Sequence, residues 1–166
     1  RSKMAIDNKC TNITSFLIKH KKTNLKHVCD GCTYLHYLAR EKDTKNIKHI
    51  IEKYPEIVNV LSEDGRSAIE MVLIKRHTEK IIDNQFGFSN NSKKKDDIID
   101  KQIINTIKLL VDNGCDINNR NDFDFRAIEV AINYRSVNVI KNMLELGANP
   151  GEIISKEDYY PAISNN

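Results

Sequence analysis

The feature that most constrains this chain of 166 residues is its similarity to itself. Asp30-Gly31-Cys32-Thr33-Tyr34-Leu35-His36-Tyr37-Leu38-Ala39 aligns with Asp64-Gly65-Arg66-Ser67-Ala68-Ile69-Glu70-Met71-Val72-Leu73. Both align with Phe123-Asp124-Phe125-Arg126-Ala127-Ile128-Glu129-Val130-Ala131-Ile132. The step from Gly31 to Gly65 sets the interval, and the step from Gly65 to Asp124 is one such interval lengthened by a surplus stretch. A second motif keeps step to within a residue: Thr106-Ile107-Lys108-Leu109-Leu110-Val111-Asp112-Asn113-Gly114 is followed by Ile140-Lys141-Asn142-Met143-Leu144-Glu145-Leu146-Gly147, with the two glycines 33 residues apart. An earlier copy runs from Ile47 to Pro55. A period of this length marks small supersecondary units, none of which can hide its apolar face alone, so that stacking completes the core.

Local signals say what each unit is. Thr33 and Ser67 can accept hydrogen bonds from the free amides of a first helical turn, and Ser67 with Glu70 has the spacing of a capping box. Asp43-Thr44 can start a second helix, on which Ile47, Ile50, Ile51 and Tyr54 recur at helical spacing. Pro55, Gly114 and Gly147 stop the copies of that second helix. Each unit therefore reads helix, short turn, helix, loop. The expected layout is one domain: a partial repeat over 1–29, repeats over 30–63, 64–122 and 123–156, and the start of another over 157–166, where Tyr160-Pro161 suits a helix start. The surplus stretch falls at about 75–100. Its middle is rich in loop formers, while Ile98, Ile99, Ile103, Ile104 and Ile107 extend the following helix backwards to a start near Asp96 or Asp97.

These residues resemble the ankyrin repeat, whose signature is a glycine, then Thr-Pro-Leu-His, and a second helix ending in Gly-Ala-Asp. Gly31, Thr33, Leu35 and His36 match in the first copy, and Gly114, Asp116, Ile117 and Asn118 in a later one. Tyr34, Ala68 and Ala127 stand where the signature has proline, Glu70 and Glu129 where it has histidine, and Asp124 where it has glycine. The resemblance implies an all-α solenoid of stacked helix-turn-helix units with short hairpin loops. It also implies that the loop fingers and the inner helices form a concave face for a protein partner. On this chain those positions are Arg66, Phe123 and Phe125 at the finger tips, and Tyr37, Arg40, Glu41, Met71, Ile74, Asn133 and Tyr134 along the inner helices. Aromatic residues and arginine often dominate interface energies.

Composition removes other classes. Twenty-six basic and 23 acidic residues leave a net charge of +3, and the one basic cluster, Lys93-Lys94-Lys95, runs straight into Asp96 and Asp97. No concentrated positive field offers itself to nucleic acid. No apolar run approaches the length of a membrane span. Four cysteines are too sparse for a disulfide scaffold, so reduced thiols and an intracellular, cytoplasmic or nuclear location are expected. His27, Cys29, Cys32 and His36 have zinc-like spacing, but a single Cys-x-x-Cys without a second pair reads as structural thiols. None of the six glycines forms a phosphate-cradling run, and no nucleophile or metalloprotease motif occurs.

The function expected is occupancy rather than chemistry: a non-enzymatic scaffold, without cofactor or metal, monomeric until it meets its protein partner. Divergent, inserted chains of this type resemble those of large DNA viruses, poxviruses especially, and of intracellular bacteria, which implies a host factor as partner and the host cytoplasm as the setting. The rival expectation is the recruiting arm of a larger enzyme or ubiquitin-ligase component.

Overall fold

The structure is a computed structural model that describes residues 16–20, 25, 30–74 and 92–151, except for the side chains of 92–95 and of Tyr134. Six helices organise these residues: α1 (Tyr34–Glu41), α2 (Thr44–Lys53), α3 (Ala68–Leu73), α4 (Ser92–Asp112), α5 (Ala127–Tyr134) and α6 (Val137–Glu145). A short 3-10 helix at Pro55–Asn59 follows α2.

The starts and stops follow the local chemistry. Thr33 precedes α1 in an extended conformation, and the carboxylate of Asp43 accepts from the Asn46 amide at 3.1 Å to open α2. The Ser67 hydroxyl accepts from Glu70 N at 3.4 Å to open α3, and Ser136 plays the same part for α6. Only the serine half of the expected capping box is used, because the Glu70 carboxylate turns to the next repeat instead. At the far ends of α4 and α6, Gly114 and Gly147 take φ values of +88° and +93°. Their left-handed turn lets Cys115 N reach Leu110 O at 3.0 Å and Ala148 N reach Met143 O at 2.9 Å, which satisfies carbonyls the helix leaves open.

The helices stack in two rows. α1, α3 and α5 lie side by side as the inner row, and α2, α4 and α6 as the outer row; each inner helix also packs on its own outer partner. The layers share one apolar core, with Leu35, Leu38, Ile69, Leu73 and Ile128 from the inner row meeting Ile47, Ile50, Ile103, Ile107, Leu110, Val139 and Met143 from the outer. This is the all-α solenoid that the repeat spacing implies: no layer is covered until its neighbour arrives. Upstream, residues 16–19 make a helical turn whose buried Ile18 passes its carbonyl to Lys53 Nζ at 2.7 Å.

The middle outer helix is unlike the others. α4 has 21 residues against 10 in α2 and 9 in α6, so at about 1.5 Å per residue it spans roughly 30 Å. It begins at Ser92, earlier than the Asp96 or Asp97 that the pattern of isoleucines suggested. The Ser136 hydroxyl at the head of α6 donates to the Asp100 carboxylate, which fixes the level at which α4 joins the stack. On the turn before Asp100, Ile98 is exposed while Ile99 still packs on the core. The rest of the expected insertion, residues 75–91, lies outside the described residues, as does any lengthening of the inner helix there.

Candidate functional site

Two loop fingers lead into α3 and α5 and are built alike. In the first, Ser62 N donates to Arg66 O at 2.9 Å, Gly65 N to Ser62 O at 3.0 Å, and Arg66 N to Ser62 Oγ at 3.0 Å. In the second, at the matching place in the next repeat, Asn121 N donates to Phe125 O at 2.9 Å, Asp124 N to Asn121 O at 2.9 Å, and Phe125 N to Asn121 Oδ1 at 3.0 Å. Arg120 and Arg126 pair across the second finger as an antiparallel bridge. Asp124, in the glycine slot, takes φ +65°, a left-handed conformation that aspartate tolerates better than most residues. The fingers also join each other: Glu63 N donates to Gly31 O at 2.7 Å, and Asp122 N to Asp64 O at 3.1 Å.

Beneath the fingers, one residue on each of the first two inner helices links a layer to the next. His36 is fully buried; its Nδ1 accepts from Thr33 N at 3.2 Å, so Nε2 carries the proton and donates to Arg66 O at 2.9 Å. Burial holds its pKa below the ordinary value, against the opposing pull of the Arg66 carbonyl and Asp64. Glu70 occupies the same slot one repeat on. Its carboxylate accepts from Asn121 Nδ2 at 2.9 Å and lies 3.3 Å from Arg66 Nε. Burial raises its pKa, and Asn121 and Arg66 only partly offset that. Glu129, third in the series, accepts instead from its own Arg126 N at 2.6 Å.

The consequence is a rigid tip carrying two aromatic rings. Asn121 Oδ1 accepts from both Phe123 N (2.9 Å) and Phe125 N (3.0 Å), while its Nδ2 is anchored on buried Glu70. Phe123 is 59% exposed and Phe125 36% exposed. The Arg66 guanidinium lies 6.0 Å from the centre of the Phe123 ring and is held from behind by Asp64 at 3.0 Å. Arg66, Phe123 and Phe125, expected at finger tips from the sequence, are thus brought to adjoining fingers. A tip whose backbone is braced before contact loses less freedom on binding than a loose loop.

The inner-helix positions divide. Tyr37 and Met71, expected on an exposed inner face, are buried, at 4% and 7% exposure. α3 is covered by α1, α4 and α5, which leaves Met71 no open side, and Tyr37 lies under the Arg40 guanidinium, 5.3 Å from its ring centre. Neither belongs to an accessible face. Ile74 is half-buried at the end of α3 and packs on the core. Arg40 is partly exposed and pairs with the nearly covered side chain of Glu41 at 3.5 Å. Asn133 is half-buried and donates to Glu129 O at 3.3 Å. Tyr134 ends α5; its side chain lies outside the described ones.

Of the zinc-like set, His27 and Cys29 fall outside the described residues, and both nitrogens of His36 are engaged in the link just described. Among the described residues no group of three or more potential ligands gathers. Cys115 is buried, which pushes its thiol pKa up to about 11 and leaves it a core residue rather than a nucleophile.

Sequence reasoning missed three asparagines. Asn59 Nδ2 donates to Gly114 O at 2.8 Å while its Oδ1 accepts from Asp116 N at 2.9 Å. Asn118 repeats the clamp one layer on, with Gly147 O at 3.0 Å and Asn149 N at 2.7 Å. Asn121 is the third. The signal was present: Asn59 and Asn118 stand as far apart in the chain as Gly65 and Asp124 do.

The chain resembles two ankyrin repeat proteins of Acanthamoeba polyphaga mimivirus, at 33% identity over 82% of its length and at 26% over 98%. It spans only 15% and 13% of those relatives. No family model matches. Among solved structures, the fold resembles an ankyrin repeat domain from Acinetobacter baumannii, with a TM-score of 0.60 and 18% identity, covering 89% of this chain and 64% of that one. It also resembles a chain in the complex of a Bdellovibrio bacteriovorus predatory endopeptidase with an immunity protein, with a TM-score of 0.61 and 18% identity, covering 87% and 62%.

Proposed function

The chain belongs to the ankyrin-repeat family, and from that premise we propose that it is a non-enzymatic scaffold whose finger tips hold a protein partner. The observation that carries this reading is the Asn121-braced tip, which presents Phe123 on a finger fixed from below by Glu70. Exposed aromatics cost apolar surface in water, and holding one rigidly is useful only if something covers it. Arg40, Ile74 and Asn133 lie at the far ends of the inner helices and extend the proposed face away from the finger tips, while Glu41, whose side chain is nearly covered, contributes through its ion pair with Arg40. The repeats 30–63, 64–122 and 123–156 act as one binding unit. The viral relatives support a host protein as the partner and the host cytoplasm as the setting. No helix among the described residues is long and apolar enough to span a bilayer.

Affinity capture from host-cell lysate tests this reading, using the chain and its F123A/F125A variant. The partner should be captured by the first and lost by the second, by a factor on the order of 30 or more for a pair of central aromatic anchors. An unchanged partner set, with the variant's melting curve also unchanged, would refute it. A second reading is favoured by the length of the relatives: these repeats would serve as the recruiting arm of a larger enzyme or ubiquitin-ligase component. Joining the chain to a ligase module and finding that the partner becomes ubiquitinated only when Phe123 is intact would support that role.

A further inference from the structure

Glu63 and Asp122 occupy equivalent places on successive fingers, one before the Asp64-Gly65 turn and the other before the Phe123-Asp124 turn. Each donates its amide to the finger before it, and each leans over the glycine there. A Cβ on Gly31 would sit 2.8 Å from Glu63 Oε2, and one on Gly65 would sit 2.5 Å from Asp122 Oδ1. Both acids are exposed, and among the described residues neither carboxylate makes an ion pair or a side-chain hydrogen bond. The cations that could neutralise them are engaged elsewhere: Arg66 with Asp64 and Glu70, Arg120 with Asp124. Asp122 adjoins Phe123, so the finger row presents unmatched negative charge beside an exposed ring, on a chain whose net charge is +3.

We infer that the segment of partner protein that seats on the fingers is basic, carrying two cationic side chains around an apolar recess that receives Phe123. This rests on the finger-tip reading above and gives that partner its chemistry. Layers of packed helices lie about 8–10 Å apart, so the two cations are separated by a similar distance. The net charge of +3 is small, so the unmatched carboxylates of the finger row set the local attraction for a basic segment. Such an arrangement selects orientation and register more than raw affinity. An acidic segment, by contrast, meets repulsion at the very point where Phe123 would anchor it.

The test is selection of a random peptide display library on the folded chain, on E63Q/D122N and on F123A. The expected result is enrichment of lysine and arginine around an apolar residue on the parent chain. That basic bias should vanish with E63Q/D122N while the apolar preference stays. The best selected peptide should bind the double variant about tenfold more weakly, with a flatter salt dependence. Enrichment of acidic residues, or a basic bias that survives E63Q/D122N, overturns the charge assignment. If F123A still erases the apolar preference in that case, the finger-tip reading stands alone. If the parent chain enriches nothing, or F123A changes nothing, both fall together.

Discussion

The joint between the first and second layers and the joint between the second and third occupy one backbone slot and are made from opposite chemistry. At the first, a neutral imidazole threads from Thr33 N through His36 to the Arg66 carbonyl, so the ring is bonded to backbone on both sides. At the second, a carboxylate reaches the Asn121 side chain and the Arg66 guanidinium, so the bond runs between side chains. Both residues are almost wholly buried, and burial disfavours the charged form of each. The first joint is therefore made by a neutral ring, and the second by an acid whose burial is only partly offset by Asn121 and Arg66. What the slot requires is a side chain long enough to reach the next layer with a polar end, rather than histidine as such.

The sharpest way to break this comparison is H36A against E70A. H36A leaves Thr33 N and Arg66 O without the ring and opens a cavity, and should cost about 3 kcal/mol in urea unfolding. E70A also strands Asn121 Nδ2 but removes a poorly solvated carboxylate, and should cost less, about 1–2 kcal/mol. Equal losses would mean that the two joints are not built on different principles.

The glycines beneath the fingers come next. G65A faces a left-handed φ of +75° and the Asp122 carboxylate and amide at 2.5 and 3.0 Å, so it should cost about 2 kcal/mol and loosen the Phe123 finger. G114A has φ +88° but open space, and should cost only about 1 kcal/mol in the same unfolding measurement. Comparable in size to the latter, N59A removes the clamp on Gly114 O and Asp116 N; a loss of about 1 kcal/mol is expected because these groups are exposed and water can replace the amide.

The smallest effects carry opposite signs, which makes them diagnostic. His36 has a lowered folded pKa, so its contribution is complete above the ordinary value of 6.5 and is lost as pH falls through 6.5 toward the folded value. Glu70 has a raised folded pKa, so its contribution is complete below the ordinary value of 4.5 and is lost as pH rises from 4.5 through the folded value. Unfolding free energies across pH should show H36Q flattening the first limb and E70Q the second. A substitution that flattened the other's limb would overturn the assignment.

The architecture and the finger tips were legible because both rest on spacing. A constant period fixes which residues recur, and a turn such as Phe123-Asp124-Phe125 can be placed at a tip by register alone. Tyr37 and Met71 were not legible. Spacing puts them on inner helices, but exposure depends on what closes around each: Met71 is enclosed by α1, α4 and α5, and Tyr37 is covered with the Arg40 guanidinium over its ring. Asn59 and Asn118 were overlooked for a different reason. Asparagine in a loop usually satisfies its own backbone, and nothing local reveals that these reach carbonyls 55 and 29 residues away. Glu70 was seen as a departure from histidine, but its replacement partner, Asn121, sits in the next repeat.

The extra length of α4 has a consequence for how such a chain can change over generations. Fingers lie where inner helices begin, whereas α4 starts on the side where inner helices end, with Asp100 bonded to Ser136 beside the Arg135 side chain that donates to Leu73 O at 2.8 Å. Growth or loss of residues at that remote margin shifts no finger, and the entropic penalty for a longer excursion rises only logarithmically. Two edges of one molecule can thus drift independently, the finger edge keeping its form while the other is remodelled.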